Sequence, residues 1–206
     1  MIDEDFQYFL DSFTPQGTRY EVPGSSMERY RGRLPDQLLW YWDQFGWSSY
    51  AYGLFSIVNP QEYEPVLTAW LEGTKLEHLD NFHVVARSAF GELIVWGEKF
   101  GYCLTISTQE FYAITVSDFR HVPEDMDFEI QCFFPTRKKA AFDFDQMFEG
   151  ACTRLGYLAV DEIYAFVPAL ALGGAREIEN LQKVSAIEHL MFLAELEDLR
   201  FMDLLR

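Results

Sequence analysis

FHVVARSAFGELIVWGEKFGYCLTISTQEFYAITV, residues 82–116, is the stretch that decides the fold class. It holds four short runs rich in β-branched and aromatic residues, at 83–89, 92–96, 102–106 and 111–116. Phe90-Gly91 and the stretch 98–101 separate them as hairpin connections. Short strands joined by tight turns pair antiparallel, so the segment predicts a meander.

The residues upstream are spaced for helices. Phe6, Phe9, Leu10 and Phe13 fall on one face of a helix over 3–13, with acids outward, and Pro15 and Gly17 end it. A short basic stretch follows with Arg29, Arg31 and Arg33. Pro35 is a favoured first helical residue, Leu38, Leu39, Trp42 and Phe45 form the buried stripe behind it, and Gly46 suits the C-terminal cap. Residues 49–57 read as one strand, and Asn59-Pro60 turns the chain. Tyr63, Val66, Leu67, Trp70 and Leu71 give another helical stripe, closed by Gly73; Pro65 sets its regular start near Glu64.

Downstream, 118–129 reads as a linker, with Pro123 and the acids Glu124, Asp125, Asp127 and Glu129. An apolar run at 128–134 and a basic knot at 137–139 come next. Residues 144–155 read as a helix stopped by Gly156, 162–172 as a buried strand or two, and Gly173-Gly174 as a turn. Ser185-Ala186-Ile187-Glu188 has the form of a capping box, opening a helix that buries Ile187, Leu190, Met191 and Ala194. The expected fold is α+β: helices packed on an antiparallel sheet over residues 1–120, then a smaller α+β unit ending in helices over 121–206.

Charge narrows the partners. The 206 residues carry 16 Lys and Arg against 33 Asp and Glu, a net charge of −17 shared by both halves. Nucleic acid and anionic membrane both require the opposite sign. The acidic start Asp3-Glu4-Asp5 is unlike a signal peptide, and no apolar stretch is long enough to span a bilayer. Three separated cysteines, Cys103, Cys132 and Cys152, read as buried structural thiols in a reducing cytoplasm rather than as a disulfide framework.

Local catalytic signatures are missing: no phosphate-binding loop, no dinucleotide fingerprint, no HExxH, no nucleophile elbow and no CxxC. No cofactor is expected. His78 and His83 flank Asp80 at a spacing that allows a metal site, but a loop residue and a strand residue explain them as well. His121 falls in the linker and His189 on the polar face of the last helix. The pairs Asp125/Asp127 and Asp143/Asp145 read as solvated acids or helix starts. The arginine cluster and the basic knot are expected to pair with the chain's own carboxylates, across the boundary between the halves.

Two further sets of residues carry a family likeness. Leu34-Pro35, Trp42, Gly46-Trp47, Tyr50, Gly53-Leu54-Phe55, Asn59-Pro60, Tyr63, Trp70-Leu71 and the run 86–93 (ARSAFGEL) together resemble the GAD-like domain. Leu155-Gly156, Leu158, the run 161–164 (DEIY), 166–170 (FVPAL), Gly173-Gly174, Asn180-Leu181, Lys183-Val184 and His189-Leu190 are similar to the small C-terminal domain of type VI secretion immunity proteins. The resemblance implies a cytoplasmic, non-catalytic protein that binds and neutralises a type VI effector, expected to be a basic DNase. A DNase presents a positive groove to phosphates, and an acidic inhibitor can cover it.

The expected toxin-binding residues are the linker acids Glu124, Asp125, Asp127 and Glu129, then Asp36, Asp43, Glu62 and Glu64. Trp47, with Tyr41 and Tyr50, is an aromatic anchor candidate. The competing readings are a small enzyme with a carboxylate/His pocket between the domains, and a general acidic interaction module.

Overall fold

The computed structural model describes residues 2–116, 119–120 and 122–203. The expected linker's first residue, Asp118, and His121 lie outside them. The elements, in order, are α1 (Glu4–Ser12), β1 (Pro15–Tyr20), α2 (Gly24–Tyr30), α3 (Asp36–Phe45), β2 (Trp47–Tyr50), β3 (Phe55–Ile57), α4 (Pro60–Leu71), β4 (Phe82–Ser88), β5 (Leu93–Gly97), β6 (Gly101–Ser107) and β7 (Tyr112–Thr115). The second half adds α5 (Met126–Phe133), α6 (Lys139–Phe142), α7 (Phe148–Leu155), β8 (Glu162–Phe166), β9 (Leu181–Ser185), α8 (Ala186–Ala194) and β10 (Arg200–Asp203).

The meander forms as its β-branched and aromatic runs between turn signals predict. It lies inside an eight-stranded sheet of order β1-β2-β3-β4-β5-β6-β7-β10. Every neighbouring pair is antiparallel except β7 and β10, which run parallel. β8 and β9 make a separate hairpin with a small sheet of their own. The chain is thus α+β: a large mixed sheet with helices, then a smaller unit that ends in α8. Beyond α8 the chain returns to the edge of the large sheet.

Both faces of the meander are covered. On β5, Ile94 and Trp96 join one core with Phe6 and Phe9 of α1, Leu38 and Trp42 of α3, and Ile130 and Phe133 of α5. Leu93 and Val95 point the other way, into a core with Val66 and Trp70 of α4 and Leu190 and Leu193 of α8. A strand buried on both sides reads as a continuous apolar run, as β5 does.

Local chemistry explains most helix ends. Asp3 caps α1 by accepting the Phe6 N–H at 2.7 Å. Asn59 accepts the Gln61 N–H at 3.2 Å, and Pro60 opens α4. Pro65 therefore does not delay α4: the bond it forfeits falls between Gln61 and itself, both on the exposed face, where solvent takes the free carbonyl. Gly46 ends α3 with φ +67° and lies against the Tyr20 carbonyl, where a Cβ would not fit.

Several expectations are corrected. Residues 49–57 are two strands, β2 and β3, joined by a left-handed tip at 51–53 that only Gly53 advertises. The last four residues of the linker, 126–129, fold into the start of α5, capped by Asp125 at 2.9 Å from the Phe128 N–H. The helix expected over 144–155 breaks at Asp145 and Gln146, both with positive φ, so α7 begins at Phe148 under the Asp143 carboxylate. Ser185 makes no side-chain cap: it is held in β9 opposite Glu162, and the Asp161 carbonyl already accepts the Ala186 N–H at 2.7 Å. β1, α2 and β10 had no counterpart in the sequence reading, because their residues lack a clean period.

One buried cation locks the halves together. Arg87 on β4 is 1% exposed. It donates from Nη2 to the Val160 and Glu162 carbonyls at 2.7 and 2.9 Å, and from Nη1 to the Ser88 carbonyl at 3.2 Å.

Candidate functional site

Four of the expected contact residues converge. Asp36 at the start of α3 and Glu124, Asp125 and Asp127 around the start of α5 line one groove of about 320 Å³ with Glu98 and Arg33. Arg33 supplies the groove's cation and is tied to Glu98 at 2.7 Å. Burial works to raise the Glu98 carboxyl, but hydrogen bonds from His83, Asn81 and Arg33 outweigh it and hold the group below its ordinary range. It stays ionised, and the groove keeps a negative surplus.

The four linker acids are not equivalent, and Glu129 is not among the residues lining the groove. Glu124 and Asp125 are exposed. Asp127 is half-buried and accepts the Gln37 N–H at 2.8 Å, so it caps α3 from 90 residues away. Glu129 accepts the Tyr102 N–H at 2.9 Å and closes the start of β6. These two carboxylates, like Asp125 at the cap of α5, hold the fold as well as adding to its charge.

The remaining candidates lie elsewhere. Asp43 is exposed near the end of α3. Glu62 accepts from the Asn59 side chain at 3.1 Å, and Glu64 pairs with Arg29 at 2.6 Å. The aromatic anchors are corrected: Trp47 is 8% exposed, and Tyr41 and Tyr50 are buried too. Trp47 packs edge-on to Trp42, and the Tyr41 hydroxyl donates to Asp3 at 2.7 Å. The large exposed rings among the described residues are instead Tyr8, Tyr20, Tyr52, Phe128, Tyr157 and Phe192. Nothing in their spacing distinguishes them, because exposure depends on which elements pack above them.

The arginine cluster pairs with its own half. Arg29, Arg31 and Arg33 meet Glu64, Glu28 and Glu98. Arg137 of the basic knot does cross the boundary, but onto a ring: its guanidinium lies 5.0 Å from the Tyr102 centroid, and 4.3 Å from that of Phe133 in its own half.

His83 is buried with Nε2 2.8 Å from Glu98, and burial lowers its pKa against that bond. His78 is exposed beside Glu77. His189 is half-buried rather than on a polar face, and burial lowers its pKa as well. Among the described residues no group of three or more His, Cys, Asp or Glu is arranged to hold a metal. Cys103 is buried, while Cys132 and Cys152 are only half-buried, and burial raises the Cys103 and Cys152 thiols.

A cavity of about 190 Å³ between the halves holds Glu92, Glu110 and Asp145 with Arg176. Its charged lining is three carboxylates and one guanidinium, with no histidine among the described residues. No helix among the described residues is long and apolar enough to cross a membrane.

Comparison with known proteins adds the family evidence. Residues 4–110 match the model of the GAD-like domain. Residues 127–197 match that of the T6SS immunity protein Tdi1, C-terminal. The crystal structure of Atu4351 from Agrobacterium tumefaciens is similar with a TM-score of 0.87 at 21% identity, over 98% of this chain and 93% of that one. At that identity the likeness is one of fold. No curated protein matches the chain.

Proposed function

Because the chain belongs to the GAD-like domain family and carries the C-terminal domain of the T6SS immunity protein Tdi1, we propose that it neutralises a basic nuclease effector by covering its substrate groove. It is an immunity protein: it binds a type VI toxin and makes or breaks no bond. The nuclease character of the toxin and the covered groove are the finer parts of the proposal. Residues 1–120 and 121–206 act as two parts of one platform, and the site of action is the cytoplasm, where an incoming DNase would meet its substrate.

The observation that carries the proposal is the groove lined by Asp36, Glu98, Glu124, Asp125 and Asp127, with Arg33 its one cation among the described residues. A nuclease holds phosphates with Lys and Arg. A pre-formed rank of carboxylates meets those cations without the toxin having to rearrange, and the wider field of −17 speeds the encounter. Asp43, Glu62 and Glu64 add to that field from the rest of the first half.

The test is co-expression with the effector encoded beside it, scored by survival and co-purification, then by DNA cleavage in vitro. The chain is expected to rescue growth and block cleavage. Charge reversal at Glu124 and Asp125 is expected to slow association and flatten its salt dependence in stopped-flow mixing. Undefended cells, or turnover of a small molecule by the chain alone, would refute the proposal.

A further inference from the structure

Tyr52 and Tyr157 meet on the surface where the two halves join. They are 50% and 60% exposed, and their rings stack with centroids 5.0 Å apart and planes 18° from parallel. Tyr52 forms the tip of the β2–β3 hairpin, and Tyr157 follows α7. Stacking uses one face of each ring, and the exposure leaves the outer faces to solvent.

The backbone beneath Tyr52 is unusual. Ala51, Tyr52 and Gly53 have φ of 48°, 62° and 93° in succession. Glycine adopts that region freely; alanine and tyrosine do so under strain, which persists only where the surroundings impose it. Here they do. The Ala51 N–H donates to the Thr14 carbonyl at 3.0 Å, its carbonyl accepts from Leu54 at 3.2 Å, and Leu158 of the second half lies over Gly53. Beside the pair, Arg87 clamps the loop carrying exposed Val160 and Asp161. Asp161 makes no ion pair among the described residues. The result is a stacked, half-exposed ring pair above a backbone that its surroundings hold in the left-handed region.

We propose that the Tyr52–Tyr157 pair is the anchor of the toxin interface, receiving an arginine side chain of the basic toxin flat against a ring face. The inference rests on the immunity reading. The surplus of 33 acids over 16 bases selects a cationic partner, and a planar guanidinium is the cation that stacks best on an aromatic face. Tyrosine and arginine are also the residues on which interface affinity concentrates.

The experiment pairs affinity with stability. The chain, Tyr157→Ala, Tyr52→Gly and Tyr52→Phe are titrated calorimetrically with the effector product of the adjoining reading frame, and each is unfolded in urea. Tyr157→Ala and Tyr52→Gly are expected to weaken binding roughly tenfold or more, and Tyr52→Phe to leave it within about twofold. Glycine relieves the left-handed backbone, so Tyr52→Gly is expected to hold the urea midpoint while losing affinity. A binding parent with Tyr157→Ala and Tyr52→Gly unchanged in affinity overturns the anchor and leaves the immunity reading standing. A lowered midpoint with unchanged affinity does the same, and makes the pair a pin between the halves. A parent chain that does not bind the effector overturns both.

Discussion

Replacing Glu92 by Gln should stabilise this protein, and only at high pH. Glu92 precedes β5 and is fixed by its backbone, whose N–H donates to the Ser88 hydroxyl at 3.1 Å and whose carbonyl accepts from Ser88 at 2.9 Å. Glu92 lines two cavities, one shared with Glu110, Asp145 and Arg176 and the other with Tyr102, Arg137 and Lys138. No ion pair or hydrogen bond to the carboxylate forms among the described residues. Burial pushes the group from 4.5 up to about 7; Arg137 opposes the rise and Glu110 adds to it. Below pH 4.5 both folded and unfolded chains hold the proton, and no penalty exists. Between 4.5 and about 7 the unfolded chain ionises first, so the folded state binds more protons and stability falls as pH rises. Above 7 the loss is complete. Each tenfold in that proton equilibrium is about 1.4 kcal/mol, so the full penalty is about 3 kcal/mol. Glutamine keeps the shape without the charge. Urea unfolding of Glu92→Gln is therefore expected to match the parent near pH 4.5 and to exceed it by about 3 kcal/mol at pH 8. An equal difference at both values, or a variant weaker than the parent at pH 8, would refute burial as the cause.

Arg87→Lys should lower stability by about 2–4 kcal/mol in the same assay, because an ammonium cannot serve the Ser88, Val160 and Glu162 carbonyls with one planar fork; hydrogen exchange should quicken over 160–162. Asp127→Ala is expected to cost about 1 kcal/mol through the uncapped start of α3, whereas Glu124→Ala should stay within about 0.5 kcal/mol; urea midpoints separate the structural acid from the free one. Gly46→Ala should lose more than about 1 kcal/mol in thermal unfolding, since its Cβ would meet the Tyr20 carbonyl at a left-handed φ.

How far the sequence could be read depended on range. Phe6, Phe9 and Leu10 are buried as their spacing says, and so are Tyr63, Val66, Leu67 and Trp70, because a helix presents positions three and four apart to one neighbour. The 82–116 meander is legible from its runs of β-branched and aromatic residues between turn signals. Trp47 read equally well as a surface anchor, and no local pattern could reveal that α3 would bury it beside Trp42.

The sequence by itself determined the helical stripes, the four-strand meander, the acidic field and the two family patterns, all of which depend on composition or on residues within a few positions of one another. Tertiary structure alone decided the rest. It set β10 beside β7, gave Asp127 to a helix 90 residues away, drew Asp36 to Glu124 and Asp125, and stacked Tyr52 on Tyr157. Each of those is a contact between distant segments, and its partner exists only once the chain has closed on itself.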